Sequence, residues 1–507
     1  IKKLDEIPSP YLTGLMDKFF DGKLSPMIQT NRGCPFHCTF CTDGRDSVNQ
    51  INSFSLDRIS AEINYIANNA PLETDNLLIS DLNFGMFPKD SAVCDFIDES
   101  KKKFGYPKRV KCTTGKNQKK RIISNIEKLR GSIKMDMAVQ SMTPEVLKNV
   151  RRDNISTDHL LAIGPAIKKT GVTLSSDIIA GLPGETFEST LQTVKDIIHA
   201  DVDEVFIWTL MMLDGSELNV PKEREKWNIK TKYRIIPRDF VKLSSGKVIT
   251  EIEEVGVSTN TLSFEDYVEL RLLALVVKVT KTGFVYDPIL KFLKEQNIDV
   301  YDLIYNMTYR SNHASENIKK LFNTFRKASI DELWDSPEEI EKNYQNDIEY
   351  EKLLNGDVGQ NLTQYYHGVV LSKNMSDWTE YVLNTAKNLL MEKQGIFNDE
   401  LEKQFIAISG HNVLGKDRMQ TNPEIDYNYD IKKWLKGDTV LNNFKLKKVS
   451  KAVFELTVDQ FNSIEALFKI YGHSDSGLGK VCNYSYNTVL WRKPVFNEEI
   501  IVDIKSL

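Results

Sequence analysis

Short apolar runs alternate with helix-like stretches over residues 25–216, and this alternation predicts repeated strand–helix units. Strands are predicted at Met27–Thr30, Asn76–Asp81, Arg109–Thr114, Met135–Gln140, Val172–Ile179 and Glu204–Leu210. The intervening helices carry apolar residues on one face, as Ile59, Ile63 and Ile66 do at helical spacing. Six such units predict an α/β fold, a partial (β/α)6 TIM-like barrel that is open on one side.

The alternation stops after residue 216. Tyr233–Ile249 predicts a hairpin, a helix is expected to begin at Ser263, and the chain beyond Asp287 is predicted to be mostly α-helical. The predicted domains are an N-terminal connector at 1–24, the partial barrel at 25–216, a barrel-flanking hairpin and helix at 217–287, and a mainly helical substrate and cover region at 288–507. Because the connector begins with Ile1, we expect an upstream domain.

Composition excludes several classes of protein. The 507 residues are 41% hydrophobic and 27% charged, as in an ordinary globular protein. A net charge of −5 provides no bulk attraction to phosphates, so we expect neither a nucleic-acid nor a membrane partner. The longest apolar run, Leu272–Val277, is far shorter than the roughly 18 residues of a membrane span. The sparse cysteines indicate a reducing, cytoplasmic location.

Three of the six cysteines stand close together, at Cys34, Cys38 and Cys41, directly after the first predicted strand. Three thiolates on one tight loop can hold three corners of a cuboidal iron–sulfur cluster, and the missing fourth ligand leaves one iron open to a small molecule. Phe40 lies inside the second gap, where its flat ring could pack against an adenine. The spacing therefore predicts an open cluster.

A zinc site is the main alternative interpretation of this loop. Zinc needs four nitrogen or sulfur ligands, and His37 could supply the fourth. Zinc loops usually show two separated ligand pairs, however, and the sequence contains no second pair. A disulfide framework would require a short chain dense in cysteine, which this chain is not.

The CxxxCxxC spacing, with Phe40 before the third cysteine, resembles the radical S-adenosylmethionine (radical SAM) superfamily. The resemblance implies a [4Fe-4S] cluster held by Cys34, Cys38 and Cys41, with S-adenosylmethionine bound at the open iron. It implies one-electron reduction by a flavodoxin or ferredoxin-type donor and cleavage to methionine and a 5′-deoxyadenosyl radical. That radical would abstract hydrogen from an unactivated C–H bond. No catalytic residue beyond the cluster ligands is implied.

The same resemblance implies further cofactor-binding residues. Gln140, Arg152 and Asp177 resemble a trio in the coproporphyrinogen dehydrogenase branch of the superfamily. In that branch the glutamine and the aspartate serve polar groups of the cofactor, and the arginine pairs with its carboxylate. Ser141 ends the same predicted strand as Gln140 and is expected at the same rim. Of the adjacent arginines, Arg151 is expected to form a surface ion pair, since the spacing favours Arg152.

Asp81 and Asn83 complete the predicted cofactor site. They lie where many members of the superfamily place a glycine-rich segment that contacts the amino group of the methionine moiety. This chain departs from the commoner Gly-Gly-Glu form, so the assignment to Asp81 and Asn83 depends on position alone.

A narrower resemblance concerns the segment before the cysteines. Pro8–Phe20 and Ser25–Cys34 are similar to enzymes in which a cobalamin-binding domain precedes the barrel. The cobalamin domain itself is not in these residues, so cobalamin is a conditional cofactor. With it, methyl transfer to carbon through methylcobalamin is favoured; without it, rearrangement, dehydrogenation or sulfur-linked chemistry stays open. The substrate is expected to be a small molecule.

Two functions of other kinds stay open. One is a non-catalytic iron–sulfur or zinc protein that uses its metal loop to bind a partner. The other is a methylthiotransferase-like enzyme acting on RNA or protein. Such enzymes usually carry a second cluster, and the sequence has no further cysteine trio, while its acidic balance argues against RNA.

Overall fold

A computed structural model describes residues 3–71, 74–115, 118–129, 132–152, 172–395, 397–416, 424–437, 439–484 and 492–496, with 161, 164 and 167. The chain divides into two compact units. The first comprises Ile1–Thr231 and Glu254–Tyr267, and the second comprises Lys232–Glu253 and Val268–Leu507. The predicted domain boundaries stay predictions.

The first unit alternates strands and helices. Its strands are β1 (Met27–Ile28), β2 (Asn31–Arg32), β3 (Asn52–Ser53), β4 (Asn76–Phe84), β5 (Arg109–Thr114), β6 (Met135–Asp136), β7 (Leu174–Ala180) and β8 (Glu204–Thr209). Its helices include α1 (Leu56–Asn69), α2 (Asp90–Phe104), α3 (Lys119–Lys128), α4 (Pro144–Asn149), α5 (Phe187–His199) and α6 (Pro221–Lys226). Each of the six predicted strand segments contains or overlaps an observed strand.

Parallel pairing joins six of these strands in chain order, whereas β2 and β3 pair antiparallel with each other. One sheet has the order β1-β4-β5 and another the order β6-β7-β8, and all of their pairs are parallel. An isolated parallel bridge between Val110 and Ile133 links the β5 and β6 regions. The predicted α/β fold is therefore confirmed, whereas no closed sheet is found among the described residues.

Helix α1 shows how the sequence forms the core of this unit. The side chain of Ser55 accepts a hydrogen bond from the Arg58 N–H and caps the helix at its start. Ile59, Ile63 and Ile66 form the predicted apolar face, and all three are buried. Burying each such side chain contributes about 1.5–3 kcal/mol, so this face anchors the helix in the core of the first unit.

The chain next forms a hairpin of β9 (Lys230–Lys242) and β10 (Val248–Ser258), which is longer than the predicted Tyr233–Ile249. Helix α7 (Phe264–Thr280) follows it. Its start is capped as the sequence predicts, since the Ser263 hydroxyl accepts from the Asp266 N–H at 3.0 Å and the Asp266 carboxylate accepts from the Ser263 N–H at 3.0 Å.

The second unit is mostly helical, as expected. Its further helices are α8 (Asp287–Glu295), α9 (Val300–Tyr309), α10 (Glu316–Asp331), α11 (Pro337–Tyr344), α12 (Asp347–Asn355), α13 (Leu362–Lys373), α14 (Met375–Gln394), α15 (Asp399–Lys416), α16 (Ile431–Lys436), α17 (Val458–Tyr471) and α18 (Asp475–Tyr484). An antiparallel sheet of β11 (Glu424–Tyr429), β12 (Lys445–Glu455) and β13 (Lys493–Phe496) was not predicted. Within the described residues, no helix is both long and apolar enough to span a bilayer.

Candidate functional site

The cysteine loop begins and ends at glycines that the packing requires. Gly33 has φ 102°, and a Cβ there would lie 2.2 Å from the carbonyl oxygen of Gln50. A Cβ on Gly44 would lie 2.2 Å from the carbonyl oxygen of Cys38. These approaches leave no room for any other residue, so the loop is folded tightly around its cysteines.

Backbone hydrogen bonds then hold the middle of the loop on the first unit. The Thr39 N–H donates to the Val150 carbonyl at 3.1 Å, and the Leu218 N–H donates to the Thr39 carbonyl at 2.8 Å. Phe40 is half-buried against an apolar cluster that includes Val146 and Val150. The loop is thereby packed on the segment that follows α4, and stacking of Phe40 on an adenine stays a prediction.

The three cysteine side chains share one environment. Cys34 and Cys38 are buried, Cys41 is partly buried, and none of the six cysteines, all within the described residues, forms a disulfide. Burial raises the pKa of the Cys41 thiol, and the nearby Cys38 and Cys34 raise it further. The amide Nδ2 of Asn83 donates to Cys34 Sγ at 3.4 Å. Asn83, predicted from position alone, therefore lies beside one of the predicted cluster ligands.

The thiols do not converge as ligands of one ion. In the described part of the chain, no three cysteine, histidine or acidic side chains are grouped so as to hold a single metal ion. A cubane makes a different demand, because each thiolate binds its own iron corner. His37 lies with Nδ1 3.3 Å from a carboxylate oxygen of the exposed Asp46.

Gln140 and Asp177 are joined through their backbones. The Gln140 N–H donates to the Asp177 carbonyl at 2.8 Å, and Gln140 has φ 67°, which is unusual for a residue other than glycine. Its side-chain Oε1 is buried and meets no donor among the described residues. The Asp177 carboxylate accepts from Trp208 Nε1 at 2.7 Å. Burial raises the pKa of Asp177, and the bond from Trp208 opposes this shift.

The adjacent arginines occupy different environments. Arg151 pairs with Glu217, and both side chains are about half exposed. Arg152 is buried, and its Nη1 donates to Cys38 Sγ at 3.8 Å. Its Nε donates to the Val139 carbonyl at 3.2 Å, and Nη2 donates to the Ala138 carbonyl. Pairing of Arg152 with a cofactor carboxylate stays a prediction.

Asp81 is used within the fold. Its buried carboxylate accepts from the Thr30 N–H at 2.7 Å, the Asn31 N–H at 3.1 Å and Asn31 Nδ2 at 2.9 Å, and also from the Thr30 hydroxyl. These bonds engage both carboxylate oxygens and fasten the segment after β1 to β4. A contact of Asp81 with a cofactor stays a prediction.

Glu185 is a residue that sequence reasoning missed. Its side chain is 1% exposed and accepts from the Ser189 hydroxyl at 2.6 Å. Burial raises its pKa to about 7, while hydrogen bonds with Ser189, Ser141 and Thr143 oppose the shift. The predicted Ser141 is fully buried, and its hydroxyl also accepts from the Thr143 N–H at 3.2 Å. The sequence signal that could have identified Glu185 is its position directly after the turn Gly181-Leu182-Pro183-Gly184.

These groups fit a cubane and S-adenosylmethionine. Asn83 Oδ1 and Gln140 Oε1 are buried acceptors without donors among the described residues, and the amino and ribose hydroxyl groups of the cofactor are donors. Asn83 and Arg152 offer N–H groups to two of the three sulfurs, and such bonds tune cluster thiolates.

Residues 28–197 match the sequence profile of the Radical SAM superfamily. The first unit therefore contains a radical SAM domain, which confirms the resemblance drawn from the cysteine motif.

Two relatives are named as methyltransferases, and one of these names includes cobalamin dependence. The chain is 26% identical over 284 residues to the cobalamin-dependent radical SAM methyltransferase TokK of Streptomyces tokunonensis, covering 53% of this chain and 40% of TokK. It is 24% identical over 279 residues to the 2-(S-pantetheinyl)-carbapenam-3-carboxylate methyltransferase of Streptantibioticus cattleyicolor, covering 52% and 40%. The chain thus spans about two fifths of the length of these relatives.

Among solved structures, the methyltransferase TsrM of Kitasatospora setae, with cobalamin and a [4Fe-4S] cluster bound, matches 39% of this chain and 38% of its own. The TM-score is 0.34 and the sequence identity is 13%.

Proposed function

We propose that this chain is the radical SAM part of a cobalamin-dependent methyltransferase that methylates a carbon atom of a small molecule. The observation that carries the proposal is the loop of Cys34, Cys38 and Cys41 inside a matched radical SAM domain. Two relatives named as methyltransferases support the methyl-transfer part, and one of them is named as cobalamin-dependent. The partial six-stranded barrel belongs to the same proposal, since β1-β4-β5 and β6-β7-β8 are connected near Val110 and Ile133.

Three cysteines would hold the cluster, and two neighbours would tune it. Cys34, Cys38 and Cys41 would each bind one iron. Asn83 and Arg152 already donate toward Cys34 and Cys38, and N–H donors lower the electron density on cluster sulfur atoms. When bound, the cluster and S-adenosylmethionine supply the carbon radical that removes hydrogen from an unactivated C–H bond.

The remaining site residues would orient S-adenosylmethionine. Gln140 Oε1 and Asn83 Oδ1 would accept from its amino or hydroxyl groups, because both atoms are buried and lack donors among the described residues. Asp177 would accept from a ribose hydroxyl in addition to Trp208. Phe40, exposed on one side and packed on the core on the other, would cover the adenine.

The proposal also includes the electron donor of the cluster and the cellular location of the protein. A flavodoxin or ferredoxin-type protein would deliver single electrons to the cluster, as the resemblance to radical SAM enzymes implies. A reducing, cytoplasmic location suits a cluster held by oxygen-sensitive thiolates.

An anaerobic assay tests the proposal. The protein is reconstituted with iron and sulfide, reduced, supplied with cobalamin, and incubated with S-adenosylmethionine carrying a deuterated methyl group. We expect 5′-deoxyadenosine, and with a suitable substrate a product that carries the deuterated methyl group. Cys38→Ala is the inactive control. Absence of 5′-deoxyadenosine from iron-replete protein would favour the non-catalytic metal-loop alternative. The deoxynucleoside together with a sulfur-bearing product would favour the methylthiotransferase-like alternative.

A further inference from the structure

The second unit contains a concave pocket that the proposed chemistry does not use. Its walls come from the start of α13, from α18 and from the middle of β9, and the lining includes Arg238, Asn361, Gln364, Lys480 and Asn483. The pocket has a volume of about 120 Å³. One water molecule needs roughly 10–15 Å³, so the pocket has room for a small ion or head group and none for a macromolecular segment.

The walls of this pocket are fixed by close packing. Helices α13 and α18 meet at Gly368 and Gly479, where a Cβ on Gly368 would lie 2.8 Å from the Gly479 carbonyl oxygen. Asn483 Oδ1 lies 2.6 Å from His367 Nδ1, and Asn483 Nδ2 donates to the Gln364 carbonyl at 2.7 Å. The α18 wall is therefore held in place against α13.

The pocket gathers positive charge. Lys480 is partly buried and Arg238 lies at the exposed rim. Burial lowers the pKa of Lys480, and the charge of Arg238 lowers it further, so the two cations lie within electrostatic reach. None of the residues that line the pocket is an aspartate or a glutamate. Two like charges in a concave surface without an acidic lining attract an anion.

The N-terminus of α13 also contributes positive electrostatic potential to the pocket. Asn361 caps this twelve-residue helix, and its Oδ1 accepts from the Gln364 N–H at 3.0 Å. The first turn contains no acidic residue. The positive end of the helix dipole is therefore not neutralised by its own side chains, and it reinforces the charge of Lys480.

We propose that this pocket binds a phosphate group between the Lys480 ammonium, the Arg238 guanidinium and the start of α13. A phosphate presents several oxygens, which suits a point charge on one side and a planar guanidinium on the other. Free phosphate and the phosphate of a small metabolite share this chemistry. The site is separate from the cysteine loop, so the proposal stands whether or not the methyltransferase assignment does.

Calorimetric titration of the full chain with inorganic phosphate at constant ionic strength tests the proposal. We expect saturable binding that Lys480→Gln weakens at least tenfold and that Lys480→Arg retains within about threefold. Lys342→Gln, which removes an exposed lysine of α11 outside the pocket, provides the matched control and should bind like the wild type. No saturable binding by the wild type, or equal affinities of Lys480→Gln and Lys342→Gln, would overturn the proposal.

A second titration distinguishes free phosphate from the phosphate of a small metabolite as the natural ligand. Tighter binding of ribose 5-phosphate than of inorganic phosphate supports a phosphate-bearing metabolite, and equal or weaker binding supports free phosphate. Circular dichroism checks that each variant is folded. Should Lys480→Gln fail to fold, Arg238→Gln at the exposed rim replaces it, with the same expected loss of affinity.

Discussion

Arg152 Nη1 lies 3.8 Å from Cys38 Sγ, although the two residues are 114 positions apart in the sequence. The same guanidinium donates to the carbonyls of Ala138 and Val139. The buried Arg152 side chain thus connects the cysteine loop to the segment that follows β6. The predicted cofactor-binding residues Gln140 and Ser141 lie directly after this segment. The position of the loop depends on this connection.

Replacing this arginine should weaken both the fold and the cluster. Arg152→Met removes the guanidinium donor of the Ala138 carbonyl, whereas the Val139 carbonyl keeps the bond from the Ser141 N–H at 2.9 Å. A buried group that loses its hydrogen bond costs about 1–3 kcal/mol. We expect the free energy of unfolding of the first unit to fall by roughly 1–3 kcal/mol, with reduced iron content after reconstitution. Arg151→Met is the control, because a half-exposed ion pair contributes at most about 1 kcal/mol. Equal stability and iron content in the two variants would contradict this role.

Replacing a cysteine of the loop and replacing the buried Cys482 of the second unit should have different effects on cluster binding. Cys38→Ala removes one of the three proposed iron ligands, so we expect loss of the cluster and of cofactor cleavage. Cys482→Ala changes a cysteine buried in α18 and should retain both. Iron and sulfide analysis after anaerobic reconstitution checks the pair. If both variants bound the same amount of iron, the assignment of Cys38 would be wrong.

The glycine before the first cysteine should be required for loading the cluster. Gly33→Ala would place a Cβ 2.2 Å from the Gln50 carbonyl oxygen, so the loop must move. Gly105→Ala has a comparable positive φ of 72° but meets nothing within 4 Å, so it bears only the conformational cost of about 1–2 kcal/mol. We expect Gly33→Ala to lose most of its iron and Gly105→Ala to keep it. If Gly33→Ala bound as much iron as the wild type, the loop would have more space around residue 33 than the structure shows.

Glu185 should make stability fall as pH rises. Its pKa is about 7 in the fold, above the ordinary value of 4.5, so the folded state holds this proton over a range in which the unfolded chain has lost it. Stability from this group is present at low pH and is lost between about pH 4.5 and 7, by roughly 3 kcal/mol in all. Glu185→Gln cannot lose a proton there. Its free energy of unfolding relative to wild type should rise by about 2 kcal/mol between pH 5 and pH 8.

Denaturant unfolding at the two pH values measures this difference. Glu188→Gln removes an exposed carboxylate in the first turn of α5, three residues after Glu185, and should stay within about 0.5 kcal/mol of wild type at both pH values. A Glu185→Gln variant with a pH-independent difference from wild type would show that the carboxyl group is not held neutral by burial.

The strands of the first unit could be predicted because each combines a continuous apolar run with a following helical face. The run over Met135–Gln140 was predicted as one strand, but β6 ends at Asp136. Pairing with β7 recurs as an isolated parallel bridge between Gln140 and Ile178, and the positive φ of Gln140 is a conformation for which its side chain gives no signal. The cysteine motif indicated the metal site, whereas the contact of Asn83 with Cys34 depends on tertiary packing.

The sheet of the second unit was missed for a different reason. Lysines dominate β12, and a lysine-rich run is typical of a solvated charged face; Lys445, Lys447, Lys448 and Lys451 are exposed. The alternation of the buried Ser450, Ala452 and Phe454 was the strand signal within it. The many lysines obscured the alternation of buried and exposed residues that is typical of a strand. The pairing of β12 with β11 and β13 depends on tertiary packing, which a short stretch of sequence does not reveal.

The most direct test of the central claim is the electron paramagnetic resonance spectrum of the reduced, anaerobically reconstituted chain, recorded with and without S-adenosylmethionine. A cluster with three cysteine ligands has an open iron, so we expect the cofactor to change the g values of the reduced [4Fe-4S] signal. An identical spectrum in the presence of saturating cofactor, or a protein that retains only zinc, would contradict the account.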